Sequence, residues 1–206
     1  MISYSLLETM RLERGRIVRL ERHLDRMASS ARHFGFVWDD AAVRRVLATQ
    51  ARSHPDGSWR SRLLVSSTGT PTVECTPYTA DAQRTWRVAF ARTPVNQDDP
   101  FLRHKTTNRE VYEEARRERP DVDDVLLWNP RGEVTEATIA NLVAEIDAVR
   151  YTPPVSCGLL GGMFRAELLE SGAIGERVLT KPAIVHATRL WLINSLREWI
   201  DVALVE

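Results

Sequence analysis

Apolar and polar positions change their period several times along the chain, and each change predicts an element. From Ser3 to Leu20, SYSLLETMRLERGRIVRL, the pattern predicts two short strands around a turn at Gly15. In LERHLDRMASSARHFGF the spacing lengthens, so that Leu20, Leu24, Met27, Ala28 and Ala31 share one face of a helix. Residues 39–53, DDAAVRRVLATQARS, open on aspartates suited to cap a second helix. WRSRLLVSSTGTPTVECTPY predicts a hairpin turning near Gly69, and TWRVAFAR a further strand.

The pattern lapses at TPVNQDDP, residues 93–100, which is polar and holds two prolines. A linker is expected there, between a small α/β domain of residues 1–92 and a larger domain of residues 101–206. Beyond it, TTNREVYEEARRERP predicts a helix stopped by Pro120. DDVLLWNPRGEVTEATIANLVAEID predicts two strands joined through NPRG, with an irregular piece near residues 136–141. RYTPPVSCGLLGGMFRAELLESG reads as a loop running into a helix near Gly162. HATRLWLINSLREWIDVALVE closes the chain with two apolar strands around NSLREW. The alternation of strands and helices over 206 residues places the chain among α+β or α/β proteins.

Charge excludes some partners. Acidic and basic residues number 28 each and the isoelectric point is about 7.0, which gives no general footprint for nucleic acid or an acidic membrane. No run of about 18 apolar residues occurs and the first residues form no secretory core, so a cytoplasmic protein is expected. Cys75 and Cys157 lack any metal-ligand spacing, and no metal is expected. Two free thiols in a reducing compartment are the simplest reading, a disulfide or a catalytic thiol the other.

Composition singles out one residue. Of the 28 basic residues only Lys105 and Lys181 are lysines. A chain that uses arginine for ordinary surface charge has chosen an amine at 105, in HKTTNREVY. An amine can lose its proton and act as a nucleophile, where guanidinium cannot. A surface ion pair is the alternative. Glycines lead into a helix at LLGGMFRAELL, where first-turn N–H groups favour an anion, although plain turns look the same. Glu136, in EVTEATIAN, is an acid in an apolar strand; it either sits on a surface turn or is buried and needs a donor.

Six blocks, LLETMRLERGRI, ERHLDRMASSA, HKTTNR, RGEVTEATIAN, TPPVSCGLLGGMFR and NSL, occur in an order and spacing that resemble the class IV, fold type IV family of pyridoxal-phosphate enzymes. The resemblance spans residue 6 to about residue 200 and implies a two-domain fold with a small α/β domain and a larger pseudo-barrel domain. It implies that Lys105 carries the cofactor and is the catalytic lysine. By the same resemblance, Arg26 holds the phosphate together with the backbone N–H groups of Met163 and Phe164 and the Ser195 hydroxyl. Glu136 binds the pyridine nitrogen, and Asn141 braces its segment. Two departures stand out. The chain starts almost at the ET motif, making its N-terminus shorter than usual. Leu160-Gly161-Gly162 also replaces the usual Leu-Pro-Gly, which suggests a more flexible phosphate loop.

KTTNR at 105–109 and NSL at 194–196 are more similar to the aminodeoxychorismate lyase branch than to the aminotransferases. That branch splits 4-amino-4-deoxychorismate into 4-aminobenzoate and pyruvate, on the way to folate. Arg103 and Arg109 are then candidates for the substrate's two carboxylates. The resemblance further implies a homodimer, with an aminodeoxychorismate synthase as another expected partner. An aminotransferase for branched-chain or D-amino acids and a non-catalytic assembly module are the alternatives.

Overall fold

The computed structural model describes residues 4–79 and 84–206; Ser3, where the first strand was expected to begin, lies outside the described residues. The chain forms two units, each with its own sheet. The first comprises Met1–Ala80 together with His104–Asn108, the second Asp81–Arg103 together with Arg109–Glu206.

In the first unit, β1 (Leu6–Glu13), β2 (Arg16–Ile17), α1 (Leu20–Phe34), α2 (Asp40–Ser53), β3 (Ser58–Val65) and β4 (Pro71–Pro77) follow one another. The strands form an antiparallel sheet in the order β2-β1-β3-β4. Glu13 pairs with Arg16, leaving Arg14 and Gly15 as a two-residue hairpin turn. Both have positive φ, 48° and 70°, as a tight turn matching strand twist requires. α1 stops at Gly35, and α2 starts at Asp39, whose carboxylate accepts the Ala42 N–H at 2.9 Å. Alternate residues Leu6, Met10, Leu12, Leu63 and Val65 of the sheet form one buried cluster with Leu24 and Met27 of α1 and Val43 and Leu47 of α2. This is the half-buried pattern that period-two alternation predicts.

The segment His104–Asn108 joins this sheet. Leu6 bridges Thr106, the Leu7 N–H donates to the Lys105 carbonyl at 3.0 Å, and the Thr107 N–H donates to the Ser5 carbonyl at 2.9 Å. A helix was expected from Thr106 onward. Because the Lys105 carbonyl and the Thr107 N–H are spent on the Ser5–Leu7 backbone, the helix begins only at Glu110.

The second unit contains β5 (Trp86–Phe90), α3 (Pro100–Arg103), α4 (Glu110–Glu118), β6 (Asp124–Trp128), β7 (Val134–Ala137), β8 (Asn141–Ile146), β9 (Val149–Thr152), α5 (Met163–Glu170), β10 (Gly175–Glu176), α6 (Lys181–Val185), β11 (Arg189–Asn194) and β12 (Glu198–Leu204). Strands β8, β11, β12, β5, β6 and β7 form a ring that closes where Glu136 of β7 pairs with Asn141 of β8. Strands β9 and β10 extend the sheet beyond β8. Val88, Leu126, Val134, Leu142, Leu192 and Val202 belong to one core cluster, while Val143, Trp191 and Ile193 pack with Phe164 and Leu168 of α5.

Two boundaries differ from expectation. β5 was assigned to the first domain, but it pairs in parallel with both β12 and β6, and so lies inside the second sheet. The expected linker at 93–100 is held there too, the Val95 N–H donating to the Trp128 carbonyl at 2.8 Å. The irregular piece near 136–141 is the end of β7, a tight corner and the start of β8. Arg150–Thr152, read as the start of a loop, belong to β9, which follows a turn through Asp147 and Ala148 at positive φ. No helix among the described residues is long and apolar enough to cross a membrane.

Leu142 is fully buried in the closed ring. Leu142→Ala is expected to cost about 2–5 kcal/mol, through lost apolar transfer and an unfilled cavity. Urea unfolding followed by tryptophan fluorescence measures it.

Candidate functional site

Among the described residues, buried polar groups gather around Glu8 in the first unit and around Glu136 in the second. In the first, Glu8 follows Leu6 and precedes Met10 on the helix-facing side of β1, and is only 1% exposed. A carboxylate taken out of water there needs charged or hydrogen-bonding partners. α1 supplies them from positions 23 and 26. The Arg26 Nε donates to Oε1 and its Nη2 to Oε2, both at 2.7 Å, and His23 Nδ1 lies 2.7 Å from Oε2. This two-pronged pairing is the strong form of an arginine–carboxylate contact.

Burial raises the Glu8 pKa, but the Arg26 guanidinium and then His23 outweigh it and bring it down to about 2. His23 is held below its ordinary 6.5 by burial, and further by the cations Arg26 and Lys105, against the pull of Glu8. The half-buried Lys105 thus lies within electrostatic reach of this cluster. Its backbone is tied to β1, and the preceding His104 is tied to α1. His104 Nδ1 lies 2.9 Å from the Ser30 hydroxyl, and its ring stacks on His33 at 4.2 Å.

The second cluster centres on Glu136, 4% exposed at the closure of the ring. Oε1 accepts the Tyr112 hydroxyl at 2.9 Å and the Leu160 N–H at 3.1 Å; Oε2 accepts the Asn141 amide at 3.3 Å. Asn141 also donates to the Leu160 carbonyl at 2.8 Å. Its other amide atom abuts Gly162, where a Cβ would fall 2.1 Å from Oδ1. Gly162 is the N-cap of α5 and offers no side chain to the first-turn N–H groups of Met163 and Phe164. Ser195 sits in a turn whose Leu196 and Arg197 N–H groups donate to Asn194 Oδ1, and Asn194 donates back to the Ile139 carbonyl at 3.4 Å.

The fold therefore brings Glu136, Asn141 and the start of α5 together in one unit, and Arg26 with Lys105 in the other. Of the arginines expected at the substrate, Arg103 is exposed and donates to the Gln97 carbonyl at 3.3 Å. Arg109 donates to the Thr138 carbonyl at 2.6 Å and lies over the Tyr112 ring. Lys181 lies at the start of α6, its Nζ 3.2 Å from the Trp128 ring centroid. Glu8, His23 and Tyr112 were not singled out beforehand. Glu8 carried a signal, an acid at a core-facing position of an apolar strand; Tyr112 carried none beyond helical spacing. The residues fit pyridoxal phosphate. Each unit by itself offers groups suited to part of it: in the second a buried carboxylate suits a protonated ring nitrogen and a helix start suits a phosphate, and in the first an arginine suits a phosphate and a half-buried lysine an aldehyde.

A family model described as "Amino-transferase class IV" matches residues 5–205. The chain is 32% identical over 192 residues to a Schizosaccharomyces pombe protein named "Putative aminodeoxychorismate lyase", covering 89% of this chain and 83% of that protein. A crystal structure named "Putative amino-acid aminotransferase", from Mesorhizobium loti, superposes with a TM-score of 0.92 at 38% identity, over 98% of this chain and 100% of that one. The PLP-bound form of a hypothetical aminotransferase from Mycobacterium tuberculosis shares the fold, with a TM-score of 0.82 at 23% identity over 97% of this chain and 81% of that one.

The Glu8 cluster makes stability depend on pH in a defined direction. The unfolded Glu8 titrates near 4.5 and the folded one near 2, so its contribution is complete above pH 4.5 and fades as pH falls toward 2. Glu8→Gln should cost about 3–5 kcal/mol at neutral pH, because it strips buried partners of their counter-charge. The gap between wild type and variant should narrow from pH 4.5 downward. Urea midpoints at a series of pH values test this, and a constant gap would make Glu8 a packing element.

Proposed function

The chain belongs to the class IV aminotransferase family of pyridoxal-phosphate enzymes, and on that premise we propose that it is an aminodeoxychorismate lyase. The proposed reaction releases pyruvate from 4-amino-4-deoxychorismate and leaves 4-aminobenzoate, a folate precursor. The observation that carries the cofactor half is Glu136, a buried acceptor held by Tyr112, Leu160 and Asn141. The S. pombe relative, together with Lys105-Thr-Thr-Asn-Arg109 and Asn194-Ser195-Leu196, supports the lyase half.

In this reading Lys105 holds the cofactor. Arg26, the N–H groups of Met163 and Phe164 and the Ser195 hydroxyl hold its phosphate, and Glu136 meets its ring nitrogen. When bound, the cofactor supplies an electron-withdrawing ring that takes up charge released at the substrate. Glu136 has to stay anionic to keep a proton on that nitrogen, and hydrogen bonds donated to a carboxylate favour that form. Lys105, once neutral, is the base that removes the substrate's ring proton. Arg103, exposed on α3, is the arginine we assign to a substrate carboxylate.

The M. loti structure favours a second reading, an amino-acid aminotransferase. Incubation with 4-amino-4-deoxychorismate, and separately with an amino acid and a keto acid, distinguishes the two. Pyruvate with 4-aminobenzoate marks the lyase, and a new keto acid marks the aminotransferase. We further propose a cytoplasmic homodimer that works with an aminodeoxychorismate synthase; the free thiols of Cys75 and Cys157 accord with that compartment.

The lysines give the sharpest contrast. Lys105→Ala should lose both turnover and the visible absorbance of lysine-bound pyridoxal phosphate. Lys181→Ala should keep both and lose about 0.5–2 kcal/mol of stability with its contact to Trp128. A coloured, active Lys105→Ala protein would remove Lys105 from the site.

A further inference from the structure

We infer that Arg109 and Tyr112 act as a pair of positioning residues for Glu136, and that Arg109 serves this carboxylate instead of touching substrate. The inference rests on the proposed role of Glu136. Tyr112, 7% exposed in the first turn of α4, donates its hydroxyl to Oε1. The Arg109 guanidinium lies 4.6 Å from the centroid of the Tyr112 ring. The same guanidinium donates from Nη2 to the carbonyl of Thr138, two residues beyond Glu136. One cation therefore holds the ring that donates to the carboxylate and the backbone corner behind the carboxylate.

The corner is fixed from its other side as well. Thr138 is 2% exposed and gives both its N–H and its hydroxyl to Asp124 Oδ1, which Arg116 also approaches. With that backbone held, the Tyr112 hydroxyl sets the direction of Oε1. A cation over an aromatic face draws density from the ring and makes its hydroxyl a better donor. The charged groups facing Tyr112 are Glu136, Arg109 and Asp99. Burial, reinforced by Glu136, keeps this phenol protonated well above its ordinary 10, so it remains a donor wherever the chain is folded. Lysine at 109 keeps the charge but lacks the planar fork that bonds and stacks at once.

The two roles for Arg109 separate experimentally. Apo-protein is titrated with pyridoxal phosphate, and pyruvate release from 4-amino-4-deoxychorismate is measured, for wild type, Tyr112→Phe, Arg109→Gln and Arg109→Lys. Positioning requires that Tyr112→Phe and Arg109→Gln each weaken cofactor binding about tenfold, the scale of one hydrogen bond to a charged group. It also requires kcat to fall while KM stays as in wild type, with Arg109→Lys recovering part of the loss. Should Arg109→Gln fail to fold, as judged by circular dichroism, Tyr112→Phe and Arg109→Lys carry the same comparison. A raised KM in either Arg109 variant with unchanged cofactor affinity would assign Arg109 to substrate and overturn the inference. Unchanged affinity and kcat in Tyr112→Phe would overturn it as well. A wild type that binds no pyridoxal phosphate overturns the cofactor reading itself, and this inference with it.

Discussion

One residue pair closes the six-stranded ring: Glu136 of β7 against Asn141 of β8. The two strands are joined by a corner of three residues, Thr138, Ile139 and Ala140, across which the Ala137 N–H donates to the Ala140 carbonyl at 2.8 Å. Closing the ring and burying a carboxylate are therefore one event. Sliding the register by a single residue would turn the Glu136 side chain to the opposite face of the sheet. The buried acid holds the register in turn, because its donors Tyr112, Leu160 and Asn141 come from α4, the loop before α5 and β8, and meet it in one arrangement.

The first unit meets the same difficulty by other means. Glu8 is as deeply buried as Glu136, but its partners include a guanidinium that engages both oxygens. That pairing drives the Glu8 pKa down and fastens β1 to α1, which is the work of a structural ion pair. Glu136 is met by a phenol, an amide and a backbone N–H. Such donors favour the ionised form of a carboxylate.

Much of this was legible locally. The Asp39 cap, the Gly15 turn and the heptad-like face of α1 are properties of adjacent residues, and they appear where the sequence places them. Lys105 stood out by rarity and Glu136 by being an acid in an apolar strand. What could not be read depends on partners far along the chain. Residues 105–107 bond to the backbone at Ser5–Leu7, about a hundred positions earlier, instead of starting a helix. β5 belongs to the second unit because strands at both ends of the later sequence flank it. The polar stretch at 93–100 marks an exposed connection, and exposure alone does not say which sheet claims the strand before it. The β7–β8 corner carries neither glycine nor proline, so no turn chemistry announced it.

Leu160-Gly161-Gly162 suggested a loosened loop before α5, and the backbone gives the glycines another reason. Gly162 has φ −70° and ψ 144°, values open to any residue, so conformational freedom does not explain it. Space does: a Cβ at 162 would sit 2.1 Å from Asn141 Oδ1, whereas the nearest atom to a Cβ at 161 is 3.9 Å away. Asn141 occupies the volume a side chain at 162 would need, while its amide holds the Leu160 carbonyl and approaches Glu136. The residue that closes the ring thus also sets where α5 begins. The carboxylate and the helix start are placed by one side chain, and the absence of a Cβ at Gly162 is what allows that side chain to reach both.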